Sequence, residues 1–184
     1  MKSLLLAILL VVAAGGAEAA KELVGRLDVA GPNGFLNGKR AAKNTPVYVG
    51  DRVSTGPATS VKVLLSGGGY VQLDQNTDPD FLKEGGCLIV QILSGRVFID
   101  GTGVCVATPS IAARQASQVH YTVLRGKTET VVLAGNVSMR RPKAVTLTRY
   151  DYYAVSGNDA GPPRKLTPQA ATATAAWRAK WDFK

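Results

Sequence analysis

Short runs of β-branched or alternating apolar residues recur through this chain at 23–29, 45–49, 61–65, 70–74, 88–93, 96–100, 104–108, 119–124, 130–133, 136–139, 145–148 and 152–155, each closed by Gly, Pro, Asn or Asp. Strands at this spacing, separated by turn signals, predict an all-β sandwich, barrel or coiled sheet of short antiparallel strands. No stretch within 23–155 repeats apolar residues at helical spacing over three turns, so βαβ folds and their nucleotide sites are not supported. Ser66-Gly67-Gly68-Gly69 reads as a hairpin turn, and Leu93-Ser94-Gly95 and Ala134-Gly135-Asn136 place Gly where a turn needs positive φ.

Both ends depart from the strand pattern. Lys2, an apolar run at 4–14 and Ala17-Glu18-Ala19 form the charged, apolar and A-x-A parts of a cleavable signal peptide. The run is too short for the ~20 residues that span a bilayer. A signal peptide at 1–19 predicts a periplasmic or secreted product with no transmembrane segment after cleavage. At the other end, 157–167 reads as a polar Gly/Pro linker, and Thr167-Pro168 supplies an N-cap with Pro at the first helical position. One short helix is expected over 168–184, with Trp177 and Trp181 four apart on one face. Two roles are open for it: the indoles dock on the β-domain, or they anchor a partner, since Trp dominates binding hot spots.

Export decides how the cysteines are read. Cys87 and Cys105 are the only two in the chain and form no CxxC. In an oxidising compartment a disulfide is the simplest reading, with two buried free thiols as the alternative. Such a loop closure stabilises a fold by roughly 3 kcal/mol. With a single His, His120, and two Cys, the chain lacks the three or four His/Cys ligands of a zinc site, and a hydrolytic triad would have to use His120 as its base. No nucleophile motif accompanies it. In the alternation Val119-His120-Tyr121 its side chain should face away from the core. Asp74-Gln75-Asn76-Thr77-Asp78-Pro79-Asp80 spaces oxygens as a Ca²⁺ loop does, but lacks the Gly and the bidentate Glu of that loop. The chain is read as non-enzymatic, with no cofactor and no metal.

Charge is the remaining signal. Residues 20–109 hold nine basic and eight acidic side chains and residues 110–184 hold twelve and four, so +8 of the net +9 falls in the last part. Arg140-Arg141-Pro142-Lys143, Arg149, Arg164-Lys165, Arg178, Lys180 and Lys184 carry it. Asymmetry of this kind points to an anionic partner, with plain solvation of a charged face as the bland alternative. Export disfavours nucleic acid and favours an envelope protein or an acidic wall polymer.

Several of these segments, in order, resemble one family. Thr45-Pro46-Val47-Tyr48-Val49-Gly50-Asp51-Arg52-Val53-Ser54-Thr55-Gly56, the strand Ser60-Val61-Lys62-Val63-Leu64-Leu65 and its Gly-rich turn, and Tyr70-Val71-Gln72-Leu73-Asp74-Gln75-Asn76-Thr77 are similar to the FecR domain. So are Leu93-Ser94-Gly95-Arg96-Val97-Phe98-Ile99, Val104-Cys105-Val106-Ala107-Thr108-Pro109 and Val131-Val132-Leu133-Ala134-Gly135-Asn136-Val137. The resemblance covers about 23–155 and implies a twisted, β-helix-like sandwich. Its marked positions, Gly50, Asp51, Thr55, Gly56, Thr108 and Pro109, are turn residues: Asp bonds the backbone two residues on, Thr caps a strand, Gly takes positive φ and Pro ends a ladder. They define a fold more than a chemistry. Gly68-Gly69 stands where the family has an Asp-Gly turn, and the family's anti-sigma and transmembrane segments have no counterpart here.

The sequence therefore predicts an exported, non-catalytic FecR-like binding or scaffold module. Its contact surface is expected at Arg140, Arg141, Lys143, Arg149, Trp177, Arg178, Lys180 and Trp181, with another envelope protein as partner. Two alternatives stand beside it. One is a wall carbohydrate-binding module stacking sugars on Tyr150, Tyr152 and Tyr153; the other is a homo-oligomer polymerising through edge strands, which an all-β chain must otherwise protect.

Overall fold

The computed structural model describes residues 21–183; the signal peptide expected at 1–19 lies outside the described residues. In chain order the strands are β1 (Leu23–Ala30), β2 (Gly34–Leu36), β3 (Lys39–Arg40), β4 (Pro46–Tyr48), β5 (Val53–Thr55), β6 (Ser60–Leu65), β7 (Tyr70–Leu73) and β8 (Asp78–Glu84). They continue as β9 (Cys87–Ala107), β10 (Ala112–Leu124), β11 (Lys127–Val132), β12 (Asn136–Arg141), β13 (Val145–Thr148), β14 (Asp151–Ser156), β15 (Asp159–Ala160) and β16 (Arg164–Lys165). The molecule is all-β with antiparallel sheets, no closed barrel and a short C-terminal helix.

The main sheet runs β15-β14-β11-β10-β9-β7-β6-β1-β4, and β3-β2-β5 forms a small second sheet. β12 and β13 extend the first half of β10, and β8 forms a hairpin with the first half of β9. The segment 157–167, expected as a linker, contributes β15 and β16, which both pair with β14.

Alternation explains the core. Val61 and Val63 of β6, Val71 and Leu73 of β7, Val97 and Ile99 of β9, and Val119, Tyr121 and Val123 of β10 are buried together. Each such side chain stabilises by roughly 1.5–3 kcal/mol relative to exposure.

β9 differs most from expectation. Three separate strands at 88–93, 96–100 and 104–108 are one strand of 21 residues. Its register slips opposite Asp78/Pro79 and again opposite Gln115/Ala116, leaving Leu93 and Gly103 as the extra residues of two bulges. Bulges bend a strand without ending it. At the first bend Gly95 has φ +100°, and a Cβ there would lie 2.3 Å from Thr77 Oγ1. The Gly signals thus mark bends as well as turns; Gly135, between β11 and β12, does make a turn, at φ +70°.

The bends bring the ends of β9 together. Eighteen residues of straight strand would span about 59 Å, yet the Cα atoms of Cys87 and Cys105 are 5.9 Å apart and their sulfurs are bonded. Replacing both cysteines by alanine is expected to lower the unfolding free energy by about 3 kcal/mol, read as a lower urea midpoint. An unchanged midpoint would show that the bent strand needs no staple.

The marked turn residues serve structure, with two corrections. Asp51 does not bond forward: Oδ2 accepts from Tyr48 N–H at 2.8 Å and Oδ1 from Asn37 Nδ2 at 2.8 Å. Among the positive-φ glycines Gly50 appears, at +93°, but not Gly56. Gly56 is needed for close approach instead, since a Cβ would lie 2.9 Å from Asn33 Cβ. Thr55 Oγ1 donates to Asp74 O at 2.5 Å and accepts from Thr77 N–H at 3.0 Å. After β9, Thr108 Oγ1 accepts from Ser110 N–H at 3.2 Å and Ile111 N–H at 3.0 Å, a local cap that lets the chain turn past Pro109.

Candidate partner-binding surface

Part of the main sheet's outer face is covered by the chain's own tail. Lys62, Gln72, Phe98 and His120 are direct cross-strand partners, one each on β6, β7, β9 and β10. They point away from the main core, as alternation requires of His120. The tail lies across this row.

The tail begins as α1 (Pro168–Thr174), where Thr167 accepts from Ala170 N–H at 3.2 Å. The helix expected over 168–184 does not continue. After Ala175 the chain forms a 3₁₀ turn over Ala176–Lys180, and Trp181 is already extended. Trp177 and Trp181 therefore share no α-helical face; their separate seats on the sheet override the Ala-rich helical preference.

Trp177, 3% exposed, donates from Nε1 to Nε2 of His120, 4% exposed, at 3.1 Å. Arg178 stacks over Phe98 with Cζ 3.6 Å from the ring centroid. Trp181 Nε1 donates to Asp74 Oδ1 at 3.1 Å, and Asp74 is also ion-paired with Arg96, whose guanidinium lies 5.6 Å from the Trp177 ring centre. Lys62 Nζ sits 4.0 Å from the centroid of Phe183. Phe98, Ala175 and Trp177 make a second small core, flanked by Tyr70, Leu133 and Trp181. Burial, reinforced by Arg96 and Arg178 and opposed by Glu129, pushes His120 down to about 4, so its imidazole is neutral and free to accept.

Of the expected contact residues, Trp177, Arg178 and Trp181 are thus engaged within the chain, while Lys180 is exposed. Arg140, Arg141 and Lys143 lie apart from them, at the end of β12 and the turn into β13, all exposed. Arg141 Nη2 donates to Thr108 O at 3.0 Å. Arg149 lies 4.5 Å over Tyr150, and Arg164 lies 4.4 Å over Tyr152. Tyr153 is buried. The three tyrosines offer no open row of rings.

Sequence reasoning missed two groups. His120, Asp74 and Arg96 are the seats of the tail; only the alternation around His120 pointed at them. Arg114 lies on the same face of β10 as His120, directly opposite Ser138 of β12 and Cys105 of β9. In the oxygen-rich segment 74–80, which lacks the Gly and Glu of a Ca²⁺ loop, Arg52 Nε donates to Asp78 Oδ1 at 2.6 Å and lies 3.9 Å from Asp80. Among the described residues no group of three or more His, Cys, Asp or Glu converges as a metal site.

Comparison with known proteins places the fold. No family profile matches the sequence, and no curated protein matches it. Two crystal structures, both described as "a putative anti-sigma factor from Parabacteroides distasonis", are similar, with TM-scores of 0.57 and 0.56 and 15% identity in each case. The likeness is one of fold. Each alignment covers 67% of this chain, which spans 64% and 63% of the length of those chains.

Proposed function

We propose that the chain is an exported, non-catalytic binding module of the cell envelope that recognises another envelope protein, as an adaptor in FecR-like signalling or assembly. The observation that carries this reading is the division of the outer face. The tail covers the part over Phe98 and His120 and leaves Arg140, Arg141 and Lys143 exposed on β12 and its turn. Exposed charge concentrated on one part of a surface favours association with an opposite charge. The fold shared with structures described as anti-sigma factors supports a signalling role over a catalytic one. The disulfide, and the lack of a membrane-spanning apolar helix among the described residues, fit an exported protein. A carbohydrate platform at Tyr150, Tyr152 and Tyr153 is disfavoured, because arginines cover two of these rings and the third is buried.

The test is photocrosslinking in the native host, with a benzophenone amino acid at Lys143 and, as control, at Lys39 on β3. A defined envelope protein captured from position 143 and not from 39, in a salt-sensitive way, is the expected outcome. Equal capture from both sites, or none, would overturn the reading.

A further inference from the structure

The part of the outer face that the tail leaves open contains a groove of about 380 Å³, within the ~300–1,000 Å³ of ordinary ligand clefts. Its floor is formed by Ala107 of β9 and Ala112 of β10 beside the Cys87–Cys105 disulfide, and its rim by Arg114, Arg140 and Glu84. The disulfide holds the end of the β8–β9 hairpin against the sheet and so fixes one wall.

The two rim arginines differ from nearly every other in the described chain. Arg26 and Arg40 donate to the carbonyls of Asn44 and Pro32, and Arg141 to that of Thr108. Arg52 and Arg96 are ion-paired, and Arg149, Arg164 and Arg178 stack on rings. The side chains of Arg114 and Arg140 make no hydrogen bond, ion pair or ring contact with any described residue. Arg125, at the tip of the β10–β11 turn, is the other arginine so placed. Arg140 is also the extra residue of a bulge, since Ala112 pairs with Arg141 and Ala113 with Met139. Bulges next to sites re-aim side chains.

We propose that this groove binds an extended, acidic segment of the partner protein, with one side-chain carboxylate received by Arg114 and Arg140. This rests on the adaptor reading and names the chemistry of its partner. A guanidinium pairs a carboxylate through two parallel N–H donors, and two guanidiniums at one rim with no partner within the chain favour an anion there. Glu84 on the facing rim disfavours a doubly charged phosphate, and its oxygens suit the backbone N–H groups of a peptide. The small side chains of Ala107 and Ala112 let an extended backbone lie close to the sheet. β10 is paired on both sides here, with β9 and β12, so a segment reaching Ala112 and Arg114 lies over the face rather than joining β10 as a strand.

The probe is a fluorescein-labelled octapeptide of alternating Asp and Leu, with an alternating Lys and Leu peptide as control, titrated against the full mature chain at low salt. Saturable binding of the acidic peptide alone is expected, weakened about tenfold or more in R114A/R140A, the loss of ~1.4 kcal/mol or more. K39A/R125A, which removes the same charge elsewhere, should leave it within about twofold. Both double variants should melt like the parent, which separates lost binding from lost folding. Equal weakening by both variants, or no saturable binding, would overturn the proposal. Heparin bound through Arg114 and Arg140 in place of the peptide would overturn it too, by assigning the groove to an anionic polysaccharide. A host partner crosslinked equally well to R114A/R140A would refute the groove and leave the adaptor reading standing. Peptide bound at the groove with no partner crosslinked would refute the adaptor reading alone.

Discussion

Trp177→Ala is expected to lower the unfolding free energy by about 3–5 kcal/mol, the range for truncating a buried aromatic to alanine. The indole is nearly inaccessible, and its loss would open the second core over Phe98. It would also leave the imidazole acceptor of His120 unpaired beneath the tail, which adds a desolvation cost. Trp177→Phe keeps most of the bulk and removes the N–H donor, so it should cost less, about 1–2 kcal/mol with its volume change. Urea unfolding followed by far-UV circular dichroism checks both. A cost for Trp177→Ala under about 1 kcal/mol would mean that the tail lies loosely on the sheet and stabilises nothing.

Acid should weaken the same contact. His120 is held down to about 4 in the folded chain, against about 6.5 in an unfolded one. Between these values the unfolded chain takes up a proton that the folded chain refuses. Stability present above pH ~6.5 is therefore lost as the pH falls towards ~4, by up to about 3 kcal/mol at one pK unit per 1.36 kcal/mol. The protonated ring would also turn an N–H towards the Trp177 N–H. His120→Gln keeps a neutral acceptor and should flatten this part of the pH profile relative to the parent. As the sole histidine, its ring protons can be followed directly by NMR. A midpoint near 6.5 in the folded protein would contradict burial beneath the tail.

The strands were readable where β-branched residues alternate, and hidden where other chemistry writes the strand. β8 reads Asp-Pro-Asp-Phe-Leu-Lys-Glu, whose Pro and paired acids resemble a loop, yet it forms a hairpin with β9. The first half of β10, Ala-Ala-Arg-Gln-Ala-Ser-Gln, has no β-branched residue and is held as a strand by β9 and β12 on its two sides. Arg114 therefore sits in a run with no strand signature, whereas Arg140 and Arg141 stand out as part of a basic cluster. The sequence of β9 reads as three strands because Gly signals a turn and a bend with the same residue. The alternation gave His120 its direction, but only tertiary packing supplies what lies over it. Likewise Thr167-Pro168 announces a helix start, whereas its early end depends on the seats of Trp177 and Trp181.

The crosslink between Cys87 and Cys105 joins two points of a single strand, so residues 87–105 form a closed covalent hoop on which β7, β8 and β10 are laid. A protease cut inside this hoop would sever the backbone without separating the molecule. The nicked protein would migrate as one band on a non-reducing gel and as two after reduction. The strand that organises the core is thereby also the part of the chain best protected against a single break.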